Sequence, residues 1–112
     1  MSGARGRAFY DLEIYKEYEA ISDLVWDEVE SWSHWHKAVN GTQLIRAVDS
    51  IGANIAESVG RGHFKDSIKF LYYSRASLTE SQHWLRRATR RGLVRSAFAD
   101  QLRNASVIVL KR

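Results

Sequence analysis

The chain has 112 residues, no cysteine, no proline, and 17 Lys/Arg against 13 Asp/Glu for a net charge of +4. That length fits one domain with a modest core, and the lack of cysteine excludes disulfides, thiolate catalysis and Cys-based metal sites. No apolar run approaches the roughly 18 residues of a membrane span, and MSGARGRAF lacks the apolar stretch of a secretory signal, so a soluble cytoplasmic protein is expected.

Without proline, long uninterrupted helices are favoured. Residues 1–8 read as a disordered tail, and residues 9–112 as one folded domain. The first helix is expected from about Phe9 to Ala38, with Ile14, Ile21, Leu24, Val25, Trp32 and Val39 on one face. Tyr18, Val29 and His36 broaden that face, while Trp26 and Tyr15 reach toward the other side. A helix apolar over so much of its circumference needs a second surface to bury against, such as a neighbouring subunit.

The stretch Asn40-Gly41-Thr42 is expected to stop that helix and to cap the next, with Thr42 as N-cap. The second helix, about Gln43 to Val59, carries the stripe Leu44, Ala47, Val48, Ile51, Ile55 and Val59. Gly60 is expected to end it as a left-handed C-cap. The third helix runs from about Phe64 to Arg91. Its inner face mixes Phe64, Ile68, Leu71, Leu78 and Leu85 with Ser67, Ser74, Ser77, Ser81 and Ala88, which lets a partner helix approach closely. Gly92 breaks it, and a fourth helix over Leu93 to about Leu110 presents Val94, Phe98, Leu102, Ala105 and Val109. Four helices with short connections make an all-α, up-down-up-down four-helix bundle.

Two stretches then match a known pattern. SIGANIAESVGR, 50–61, followed by FLYYSRASLTE, 70–80, resembles the four-helix-bundle protein family encoded by intervening sequences within 23S ribosomal RNA genes. Leu24-Val25-Trp26 is similar to the family's first helix, so the resemblance spans nearly the whole chain. It implies a small bundle that assembles as a homopentamer, in a family most of whose members have an unknown biochemical role. It also implies a relation to the accessory protein of diversity-generating retroelements, a basic pentameric barrel that binds nucleic acid and associates with a reverse transcriptase. The chain departs from the pattern at Ser58 and Ala76, where the motif has glycine, and at His63 and Asp66, where it often has a capping box.

Five residues that match the motif are Asn54, Glu57, Arg61, Ser77 and Glu80. They read as a structural polar cluster where the end of the second helix meets the third. Glu57 stands near a helix C-terminus, where the backbone dipole is unfavourable to an acid. Arg61, four residues on, is its natural partner. A ligand or catalytic role for Glu57 and Glu80 is the alternative.

Catalytic and metal chemistry find little support. Gly60-Arg61-Gly62 follows a helix, whereas a phosphate loop needs a strand before its glycines. His34 and His36 point to different sides of a helix, the wrong spacing for one metal ion. No enzyme activity, metal or cofactor is expected.

The strongest functional signal is positive charge. Residues 1–60 hold five Lys/Arg against ten Asp/Glu, and residues 61–112 hold twelve against three. Arg86, Arg87, Arg90, Arg91 and Arg95 gather around the turn after the third helix, just beyond His83 and Trp84. Arginine forks suit phosphates, and an adjacent aromatic can stack on a base. Two alternatives remain: pairing with acidic Asp27 to Glu30 across a subunit interface, and plain solvation at a negative helix end. The leading expectation is a non-enzymatic ring that binds RNA or DNA as an accessory module for a larger nucleoprotein partner. The runner-up is a purely structural homo-oligomer whose acidic and basic faces pair.

Overall fold

The computed structural model describes residues 8–94, together with Phe98 and Asp100. Among the described residues every regular element is helical, with no strand. A 3₁₀ turn at Phe9–Asp11 leads into α1, Glu13–Glu30. Helix α2 occupies residues 34–60 as three joined parts: His34–His36, a π-helical turn over Lys37–Gly41, and Thr42–Gly60. Helix α3 is Phe64–Arg90. Among the described residues three helices are thus present where the sequence predicts four, and most of the stretch expected as the fourth lies outside them.

The first break falls earlier than the sequence suggests, at Ser31-Trp32-Ser33. Ser31 donates from Oγ to the Glu28 carbonyl at 2.6 Å, and Ser33 Oγ accepts from the His36 amide at 3.3 Å. Between these serines Trp32 turns into the core, with its indole N–H on Glu28 Oε2 at 3.4 Å. Two serines able to satisfy free helix-end groups, on either side of an aromatic anchor, are enough to end one helix and start another.

Asn40-Gly41-Thr42 consequently stops nothing. It lies inside α2, where Thr42 Oγ1 donates back to the Lys37 carbonyl instead of capping. Gly41 is needed for close approach: a Cβ there would fall 2.7 Å from Val29 Cγ1 on α1. Gly60 is not a left-handed cap either. Helix α2 ends because Arg61 turns extended at φ −82°, ψ 143°, and the positive φ falls at Gly92 instead.

The core lies where α1 and α3 both pack against the apolar stripe of α2. Tyr18, Ile21, Val25 and Val29 from α1 pack with Leu44, Val48, Ile51 and Ile55 from α2, and with Leu78, Leu85 and Ala88 from α3. The expected mixture of large and small residues on α3 is found at Ser74, Leu78, Ser81, Leu85 and Ala88, all buried. Ser74 Oγ donates to the Ile51 carbonyl at 2.8 Å, a bond that only a small side chain on closely packed helices can make. Toward its N-terminus that face departs from expectation: Phe64 is 78% exposed, and Leu71 and neighbouring Val59 are exposed as well. Val39 is likewise exposed, because the break after Glu30 puts it on α2, where the spacing of the α1 stripe no longer sets its face.

After Gly92, Val94 is buried and Phe98 packs partly against the core. Leu102, Ala105 and Val109 lie outside the described residues.

Candidate nucleic-acid interface at the end of α3

The last turn of α3 carries Arg87 and Arg90, at the negative end of the helix where positive charge is favourable. The helix closes through Gly92, at φ 77°. The Gly92 amide donates to the Thr89 carbonyl, and the Leu93 amide to the Ala88 carbonyl. This closure is the Schellman arrangement. It fixes where the arginines stand relative to the core residue Ala88.

The five arginines singled out in the sequence do not share one environment. Arg86, Arg87 and Arg90 are exposed, and none is in an ion pair among the described residues. Arg91 is engaged: its Nη1 donates at 2.6 Å to Oδ1 of Asn40, a side chain 1% exposed on α2. Asn40 Nδ2 in turn donates to the Trp84 carbonyl at 3.4 Å. Arg95 lies outside the described residues. Asn40 was missed in the sequence because Asn-Gly reads as a turn; its place amid an apolar helical pattern was the available signal.

The neighbouring aromatics differ too. Trp84 is half-buried against the core and donates from its indole to Glu80 Oε2 at 3.3 Å. His83 is exposed and lies edge-on to Trp84, with ring centroids 4.8 Å apart.

The second set of residues, around the α2–α3 turn, is not brought together. Glu57 and Arg61 form an ion pair at 2.8 Å, with side chains 50% and 40% exposed. The carboxylate is therefore a surface group, and its unfavourable place near the end of α2 is offset by Arg61. The Arg61 guanidinium also sits 4.4 Å above the Phe70 ring, which ties the turn to α3. Asn54 instead donates to the Ser50 carbonyl within α2, and the Ser77 carbonyl accepts from Ser81. Glu80 is paired with Trp84, about 15 Å along α3 from Phe70 at the usual rise per residue.

Among the described residues no three His, Asp or Glu side chains gather as metal ligands, and no helix is long and apolar enough to cross a membrane. Fold and charge together define a small all-helical protein with a basic helix end. Residues 10–112 match the family described as 23S rRNA-intervening sequence protein. The chain belongs to that family, as the motifs at 50–61 and 70–80 indicated. A comparison with curated protein sequences finds no match.

Proposed function

We propose that this chain is a non-enzymatic cytoplasmic module that self-assembles and binds RNA or DNA through Arg86, Arg87 and Arg90. The observation that carries the reading is three exposed arginines at one helix terminus with no acidic partner among the described residues. Phosphate recognition needs charge that is not already spent. The reading therefore leaves Arg91 out of the interface, since it holds Asn40.

Self-assembly into a ring is supported in the N-terminal half of α3, where Phe64, Leu71, Tyr72 and Tyr73 are exposed. Several large apolar side chains exposed on one helix favour an association surface. The bundle takes its fourth helix from the sequence after Leu93, a reading supported by the packing of Val94 and Phe98 on the core. The resemblance sets the expected assembly at five copies and suggests a larger nucleoprotein partner, such as a reverse transcriptase.

A second reading has its own support. Asp23, Asp27 and Glu30 are exposed on α1 and would pair with the arginines of another copy. The deciding experiment measures native mass and then the binding of structured RNA and duplex DNA across a salt series. Steep weakening with salt supports phosphate contacts. An assembly that binds neither at low salt leaves the arginines as an assembly surface.

A further inference from the structure

A cleft of about 390 Å³ opens between the end of α1 and the start of α2. Its volume falls within the range of small-ligand sites. Val29 and Ile45 form its apolar lining, and Trp26, 55% exposed, stands at its side. Lys37, Arg46 and Glu30 are the charged residues that line it, two positive against one negative. Neither Lys37 nor Arg46 is in an ion pair among the described residues.

The position of the cleft matters as much as its lining. Lys37 and Gly41 flank Asn40 in the same π turn, and Asn40 reaches across to Trp84 and Arg91. The cleft and the arginine end of α3 therefore both adjoin the π turn of α2. Trp35, 69% exposed, stands at the same end of α2.

We propose that this cleft receives an unstacked base of a single-stranded nucleic acid, with Trp26 as the stacking surface and Lys37 and Arg46 toward the flanking phosphates. The inference rests on the nucleic-acid reading above and narrows it from nucleic acid in general to single strands. An aromatic side chain beside unpaired positive charge is the combination that holds unpaired bases without regard to sequence. A duplex keeps its bases stacked and cannot fill the cleft. Docking of the exposed apolar face of α3 from a second copy fits the charges less well, because its residues are interleaved with Lys65, Lys69 and Arg75. Those would face Lys37 and Arg46 with the same sign.

The test compares a thymidine homopolymer single strand with a duplex of equal length, by fluorescence anisotropy on the intact protein. The single strand is expected to bind more tightly. Trp26→Ala weakens it about ten-fold while leaving duplex binding unchanged, and Trp26→Phe retains most of the affinity. Equal single-strand binding by Trp26→Ala and the parent overturns the proposal, yet leaves the arginine reading standing if neutralised Arg86, Arg87 and Arg90 still abolish binding. A change in native mass of Trp26→Ala assigns the cleft to a second copy and overturns it too. No binding of either nucleic acid by the parent overturns both readings.

Discussion

Arg91 reaches from the C-cap of α3 to a buried asparagine on α2: Nη1 lies 2.6 Å from Asn40 Oδ1. The contact joins residues 51 apart in sequence, within a π turn that the helix accommodates in place of a break. Asn40 also satisfies the Trp84 carbonyl, so one side chain holds the end of α3 against the start of α2.

The two ends of this contact are expected to fail together. Asn40→Ala removes the side chain that links Arg91 to the Trp84 carbonyl across the two helices, and Arg91→Ala leaves Asn40 Oδ1 unpaired inside the protein. Each should cost about 1–3 kcal/mol, with the double variant costing less than the sum. Alanine at Arg86, Arg87 or Arg90 should change stability by under about 0.5 kcal/mol, as at other exposed positions. Thermal or urea unfolding of the six variants checks the contrast; equal effects at Arg91 and Arg90 would remove the structural role given to Arg91.

Two glycines of α2 should respond with opposite sign. A Cβ at Gly52 would overlap the Tyr18 ring, so Gly52→Ala must push an aromatic out of the core. Overpacking of this kind costs about 1–3 kcal/mol. Gly60 has nothing near its missing Cβ and no positive φ. Gly60→Ala should therefore be neutral or stabilise by about 0.4–1 kcal/mol through the unfolded chain. Denaturant midpoints of both variants decide this, and a destabilised Gly60→Ala would restore the left-handed cap.

Arg61 combines an ion pair to Glu57 with a face-on contact to Phe70. Both charged side chains are about half exposed, so solvent screens the pair, and Arg61→Ala should cost about 0.5–1 kcal/mol in total. Glu57→Gln should cost less, because the guanidinium keeps its ring. If Glu57→Gln proves the more damaging, the carboxylate has a role beyond this turn.

Tyr18 should make the protein sensitive to alkali. Burial pushes its phenol above the ordinary value; a hydrogen bond with Ser22 pulls back part of that, and Asp49 adds to it. A raised folded value means the neutral phenol is favoured by folding. Its contribution is present below about pH 10 and is lost as pH rises through the folded value. The melting-temperature difference between the parent and Tyr18→Phe should stay flat to about pH 10 and then shift against the parent. Parallel curves to about pH 11 would contradict this assignment.

Much of this architecture was legible from periodicity. The stripe Leu44, Val48, Ile51 and Ile55 lies in the core, as does the alternation of Ser74, Leu78, Ser81 and Leu85. What misled were local signals that tertiary contacts override. Asn40-Gly41 has turn chemistry, yet Asn40 finds two partners in the interior, and Gly41 is small because Val29 lies against it. Ser31 and Ser33 carry no strong breaker, yet they cap both sides of Trp32. The arginine cluster was visible as a run of charge, but pattern alone does not separate Arg91, committed to a buried amide, from Arg86, Arg87 and Arg90. The five motif residues suggested one polar cluster; the helix rise distributes them along α2 and α3 instead.

The most direct test of a nucleic-acid interface is the salt dependence of duplex binding by the parent, an Arg86→Gln/Arg87→Gln/Arg90→Gln variant, and Arg91→Gln, all at matched native mass. The slope of log affinity against log salt should fall in the triple variant by about 0.9 for each phosphate contact removed. Arg91→Gln should keep the parent slope while melting at lower temperature. An unchanged slope in the triple variant, at unchanged mass, would contradict the assignment of these arginines to phosphate recognition.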